Sequence, residues 1–226
     1  MAYRCAVCRA ELVERPGRAT CSFCGCPEPT DWACPAGHHA CEACRTATAE
    51  ELVVRVAAAA GGTDPVAIAE RILAHPAFGA SGPEHHAVPA AAVLAALRNA
   101  GRWAATPADL AEAVRRTSDV PLGACGSRGD CGACVGAGVA VAIALRADHR
   151  AAPERALVLR AAARALARLA ELGGVRCCKQ AVYAALEAAT ATLAEARGWT
   201  LTAAPTRCPF APRNPECQGA ECPYHG

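Results

Sequence analysis

Cys125-Gly-Ser-Arg-Gly-Asp-Cys131-Gly-Ala-Cys134 runs without a break into Val135-Gly-Ala-Gly-Val-Ala-Val-Ala-Ile-Ala-Leu145. Thiols and glycines here precede a segment that is apolar on every side, and a helix without a polar face must lie inside the protein. The start of such a helix carries free backbone N–H groups and the positive end of the helix dipole, which favour thiolates and other anions. Further along, Gly173-Gly174-Val-Arg-Cys177-Cys178-Lys179 opens a second helix toward Arg197 in the same way. Two cysteine-tipped helix starts in one core predict one shared site, in which Cys125 and Cys131 meet Cys177 or Cys178.

Working outward, the chain of 226 residues is 53% hydrophobic but only 4% aromatic, with alanine making up much of the apolar share. Helices packed through small side chains follow from that composition. Local signals divide the segment into helices. Thr48 to Ala60 is stopped by Gly61-Gly62, Asp64-Pro65 caps a helix that Pro76 ends, and Pro89 begins one closed by Gly101. Thr106-Pro107 with Asp109 repeats the cap, and a helix from about Pro153 to Leu172 sets Leu159, Ala162, Leu166 and Leu169 on one face, opposite Arg160, Arg164 and Arg168. That arginine row reads as a solvated face. A net charge of +2 gives no case, on charge alone, for a nucleic-acid or membrane partner, neither of which is expected, and the apolar run from Ala133 to Leu145 is shorter than the roughly 20 residues of a membrane span. The start, Met1-Ala-Tyr-Arg-Cys5, has no apolar segment of a secretory signal, so sixteen cysteines predict metal or redox chemistry in a reducing cytoplasm.

The head, residues 1–48, holds Cys5-x2-Cys8, Cys21-x2-Cys24, Cys34-x3-His38 and Cys41-x2-Cys44. Zinc takes four soft ligands in a tetrahedron, and each pair supplies two from one tight turn, so two structural zinc ions are expected. Sequential pairing (Cys5, Cys8, Cys21 and Cys24, then Cys34, His38, Cys41 and Cys44) gives a zinc ribbon followed by a treble-clef-like knuckle. The alternative is the cross-braced arrangement of RING fingers, and ribbon spacing in the first four ligands favours the sequential one. Cys26 and His39 are then spare. Residues 1–50 carry five arginines against six acidic residues, which is no phosphate-binding surface.

The body, residues 49–200, is expected to be all-α with a cysteine-lined core site. Gly82-Pro83-Glu84-His85-His86 places a carboxylate and two imidazoles on a loop before a buried helix, where they suit acid–base work. Lys179 is the chain's only lysine and stands beside Cys177-Cys178; lysine can lose its proton where arginine cannot. Irregular cysteine spacing at glycine-rich helix starts favours Fe–S ligation, although low-pKa redox thiols have the same requirements. Cys134 fits an inert, buried thiol. The Cys/Pro-rich tail, residues 201–226, needs pins, and Cys208, Cys217 and Cys222 supply them, with His225 a fourth candidate, either on an ion of their own or as further ligands folded over the core site.

The ribbon head, the Gly82 to His86 loop, the Cys125/Cys131 segment, the Gly173 to Lys179 segment and the Asn214-Pro-Glu-Cys217…Cys222-Pro tail together resemble the domain of unknown function 5714 family. That resemblance spans the chain and implies important positions but no reaction. Short segments around Cys131 also resemble Fe–S-dependent serine dehydratases and cysteine desulfidases, which implies a 4Fe–4S cluster with an open iron for substrate. The expected architecture is mainly α, with a small two-zinc module, an all-α domain and an irregular tail. The expected activity is redox, sulfur-transfer or lyase chemistry on a small molecule. In that reading Cys125, Cys131, Cys177, Cys178, Cys208, Cys217 and Cys222 bind the cofactor, while Lys179, His85, His86 and Glu84 move protons. The alternative is a non-enzymatic zinc adaptor that docks a protein partner.

Overall fold

In the computed structural model, which describes residues 3–201 and 207–226, an antiparallel hairpin pairs β1 (Val13–Thr20) with β2 (Pro27–Ala33), and a single turn, α1 (Glu42–Arg45), follows. The helical body comprises α2 (Ala49–Ala59), α3 (Pro65–Leu73), α4 (Val88–Asn99), α5 (Pro107–Thr117), the short α6 (Ala124–Ser127), α7 (Gly132–Ala144), α8 (Ala152–Leu172) and α9 (Cys178–Arg197). Architecture among the described residues is thus mainly α, with a small cysteine-rich head. The first residues of the tail segment, 202–206, lie outside the described residues.

Caps set the helix starts. Thr48 and Glu51 exchange side-chain and backbone bonds in a closed capping box, as do Thr106 and Asp109. Asp64 accepts from the Val66 amide at 2.8 Å ahead of Pro65. At the far end of α2, Arg98 and Asn99 of α4 donate to the carbonyl of Ala60, and Arg98 also to that of Ala57, which satisfies acceptors the helix itself leaves open.

Helix α7 forms the centre, buried along its length except at Val135 and packed against α4, α5, α8 and α9. Its glycines let neighbouring backbone come close. A β-carbon on Gly138 would stand 3.1 Å from the Val158 carbonyl oxygen of α8, and one on Gly136 would stand 2.5 Å from the His86 carbonyl oxygen. The second neighbour is backbone and cannot swing aside. Gly136→Ala is therefore expected to destabilise the protein by about 1–3 kcal/mol through overpacking, read as a lowered urea midpoint with an unchanged slope.

One expectation about α8 is corrected. Leu159 is 53% exposed, and the helix faces the core through Leu157, Val158, Ala161, Ala165, Leu166 and Leu169 instead. With about 100° between successive residues, Leu159 lies one step past the stripe begun by Val158 and Ala161. The head joins the same core. Phe23 is 1% exposed with its ring 4.6 Å from that of His75, and Arg71 of α3 donates to the Ser22 carbonyl at 3.0 Å.

Candidate metal and thiol centres

Two groups of four ligands form in the head. Cys5, Cys8, Cys34 and His38 bring their ligand atoms within 4.8 Å of one another, and so do Cys21, Cys24, Cys41 and Cys44. The protein therefore carries two groups able to hold metal, one of three cysteines and a histidine, the other of four cysteines. Their pairing is cross-braced, which overturns the sequential expectation. Strand β1 explains this, since its eight residues span about 26 Å when extended and keep the first knuckle away from the second. Pairing of Val13 with Ala33 then returns Cys34 to the first knuckle, while the chain beyond His38 climbs to the hairpin tip and delivers Cys41 and Cys44. Sulfur contacts follow the same pairing, Cys8 to Cys34 at 3.5 Å and Cys24 to Cys41 at 3.5 Å.

Backbone amides favour the thiolate at two of the head ligands, while burial pushes Cys41 and Cys44 up. Burial would raise Cys21, but amides of Cys24, Cys41 and Phe23 donate to its sulfur and lower it to about 6. Cys34 is likewise brought down to about 6, with backbone donors from His38 and Ala36 outweighing desolvation. The two residues read as spare stay outside both groups. His39 bonds Glu28 at 2.9 Å, and Cys26 is exposed.

In the body, the cysteines divide between two cavities at the start of α9. The first is a space of about 20 Å³ beneath the tail, lined by Cys177, Cys208, Cys217 and Cys222 together with Tyr183 and Asn214. The tail is latched there by several bonds. Cys208 N donates to the Tyr224 carbonyl, Arg213 donates to the Ala74 carbonyl, and Gln218 reaches the carbonyls of Gly173 and Val175. Gly174 has φ +76°, a left-handed backbone that favours glycine, and it turns the chain into Cys177. Donors also point at the sulfurs: Asn214 Nδ2 to Cys177 at 3.6 Å, Gln180 Nε2 to Cys222 at 3.8 Å and the Gly219 amide to Cys217 at 3.4 Å.

The second cavity holds about 540 Å³ and is lined by Cys125, Cys131, Cys177, Cys178, His85 and His86, among others. The two helix starts thus open onto one space. Within it the cysteines are not equivalent, because Cys177 stands in the wall between the cavities while Cys178 lines only the larger one. Cys178 accepts from the Gly82 amide at 3.4 Å, which ties α9 to the loop carrying the histidines. Burial pushes the Cys178 thiol up.

Lys179 has a more constrained setting than a mobile proton donor. It is 4% exposed and donates to the carbonyls of Gly79 and Ala80 and to His85 Nε2 at 3.0 Å. These three acceptors match the three donors of an ammonium. His85 is fully buried, and its Nδ1 meets the Gly82 carbonyl at 3.1 Å, so its ring is held at both nitrogens. Glu84 lies 3.4 Å from His85 Nδ1, and the hydrogen bond to that ring holds its carboxyl below the usual range. Lys179, His85 and Glu84 therefore fix the loop. His86 differs, because its Nδ1 is buried with no hydrogen-bond partner among the described residues. Burial, with His85 alongside, holds its imidazole below the ordinary histidine range. A β-carbon on Gly132 would overlap that ring, so glycine there admits His86 to the first turn of α7.

Some participants were not singled out from the sequence. Gln180 and Tyr183 line the tail cavity, and Tyr183 OH donates to Glu70 of α3 at 3.0 Å. Cys134, read as inert, lies directly behind Cys131. The Cys-x2-Cys spacing of Cys131 and Cys134 was the available signal.

No curated protein and no solved structure matches the chain. The model of one family covers residues 53–225, from α2 through the tail, and leaves the hairpin head outside. Since that match takes in most of the chain and both cysteine-lined cavities, the protein belongs to DUF5714, a family of unknown function.

Proposed function

We propose that this protein is a metalloenzyme in which Cys177, Cys208, Cys217 and Cys222 hold an iron–sulfur cluster, of the 4Fe–4S class, beside a chamber for redox, sulfur-transfer or lyase chemistry on a small molecule. The two head groups hold structural zinc. The observation carrying this reading is the convergence of four thiols, three of them from the tail, on one cavity at the start of α9.

Spacing supports a cluster over a lone ion. Four thiolates at about 2.3 Å from one zinc stand only about 3.8 Å apart. The head ligands come close to that, whereas among the described residues no three thiols of the body draw within 4.8 Å of one another. A polynuclear centre places several metal atoms between its ligands and needs the wider spacing. Side-chain and backbone N–H donors aimed at the sulfurs, and the positive end of α9, favour the anionic ligand set. In the neighbouring chamber His86 serves as the proton-transfer group. Lys179, His85 and Glu84 position it.

Zinc, iron and acid-labile sulfide per chain, measured after anaerobic preparation, test this. The expected protein is brown and holds two zinc ions plus iron and sulfide in equal amounts. Cys208→Ser and Cys217→Ser are each expected to lose the iron, the sulfide and the visible absorbance while keeping both zinc ions. A colourless protein with a third zinc and no sulfide would overturn the reading and leave a zinc-binding adaptor.

A further inference from the structure

The wall of the larger chamber carries one thiol of a pair that the cluster leaves unused. Cys131 is the N-cap of α7, with extended backbone at φ −87° and ψ 114°, and Cys134 lies in the first helical turn. Three residues apart across that turn, the two side chains lie on one face of the helix. Cys131 lines the chamber and is 8% exposed, whereas Cys134 is fully buried behind it and does not reach the cavity. One thiol is open to an incoming molecule and its neighbour is shielded.

We propose that Cys131 and Cys134 form a redox dithiol that exchanges with a disulfide substrate entering this chamber. The Cys131 thiolate attacks one sulfur of the substrate disulfide, and the other sulfur leaves as a thiolate and takes up a proton. A mixed disulfide now joins Cys131 to the substrate. Cys134 gives up its proton and attacks the Cys131 sulfur, which forms the Cys131–Cys134 disulfide and releases the second substrate thiol. Two electrons pass from the protein dithiol to the substrate, one disulfide is consumed and one is made. A second exchange with a dithiol reductant restores the starting state.

The surroundings favour this division of labour. The neighbouring Cys134 thiol, with the amides of Cys134 and Ala133, brings Cys131 down to about 6 against the cost of burial. Cys134 is pushed up, first by its Cys131 neighbour and then by burial, so it stays a thiol until its proton is removed. The His86 ring, with its unpartnered Nδ1, packs on Gly132 between the two cysteines in sequence and is placed to receive that proton. Exposed Leu122 and Val175 line the chamber too, giving its rim an apolar character suited to a disulfide carried on an organic group.

This inference names the substrate class of the chamber in the proposed function, and it stands on the chamber and not on the cluster. Metal and sulfide analysis tests the cluster, while thiol mapping tests the dithiol, so either can fail alone. The reduced full-length protein, with its metals bound, is treated anaerobically with glutathione disulfide and mapped by peptide mass spectrometry. The expected product carries an internal Cys131–Cys134 disulfide and no glutathione on either residue. Cys134→Ser is expected to trap glutathione on Cys131, and Cys131→Ser is expected to leave Cys134 unmodified. Exposed Cys26, which belongs to neither head group, is expected to retain glutathione in all three proteins and acts as the internal control. Cys131 and Cys134 remaining as free thiols while Cys26 is modified would overturn the proposal. So would a second equivalent of iron and sulfide that disappears in Cys131→Ser, since Cys131 would then be a cluster ligand.

Discussion

Replacing one ligand in either head group, as in Cys5→Ser or Cys24→Ser, is expected to cost the protein both head metals and the fold of the head. The two groups interleave along the chain. Residues between Cys24 and Cys41, which belong to the four-cysteine group, include Cys34 and His38 of the other. Freeing either group releases the segment on which its neighbour is built. A head of this size has little else to hold it, because its hairpin is largely exposed and the core contact runs through Val7, Phe23 and the knuckles of the four-cysteine group. Structural zinc supplies about 10–16 kcal/mol of apparent binding energy near neutral pH, as much as the whole stability of an ordinary domain. The expected measurement is zinc falling from two per chain to well below one, with protease cuts appearing between residues 9 and 33 while the helical body stays protected. Retention of one full zinc and an intact hairpin in Cys5→Ser would show that the groups are independent, as sequential pairing requires.

Lys179→Met is the second substitution with a large expected effect. It removes the donor shared by the Gly79 and Ala80 carbonyls and His85 Nε2, all at a site where Lys179 is 4% exposed. Gly79 is exposed and Ala80 half-buried, so water can reach their carbonyls, but His85 is fully buried, and a buried acceptor left without a partner costs about 1–3 kcal/mol, which sets the expected loss. Lys179→Arg is not expected to rescue it, since a planar guanidinium cannot direct its donors at three acceptors gathered round one nitrogen. Urea midpoints and amide exchange across residues 79–86 report the result. A mobile proton donor would behave differently, giving a variant as stable as the parent with only its chemistry lost. Wild-type stability in Lys179→Met would therefore remove the positioning role argued for this residue.

What could be read from the sequence follows the range of the interactions involved. Thr48, Asp64 and Thr106 act on amides two or three residues away, so the helix starts they set were legible from neighbouring letters. The head ligands were legible as well, because each pair sits within one turn. Their pairing was not, since it depends on which residue of β2 faces which residue of β1, and the irregular register between Glu14 and Gly17 is not written in any local pattern. Lys179 stood out as the only lysine, yet two of its three partners are backbone carbonyls about a hundred residues away. Any residue type can present a carbonyl, so no choice of letter at positions 79 and 80 announces the contact. The tail cysteines were visible as pins. That Cys177 alone joins them, while Cys178 turns to the other cavity, follows from how the first turn of α9 is rotated, which the packing of the whole bundle decides.

That rotation gives α9 the character of a pivot. Two residues adjacent in the chain face different spaces, with Cys177 in the partition and Cys178 in the larger room, tethered to the loop through Gly82. A small twist of this one turn cannot move either sulfur by itself. Whatever tightens the grip on Cys177 from the tail side must also re-aim Cys178 and tug the segment that bears both imidazoles, so the two compartments are geared together through a single peptide bond.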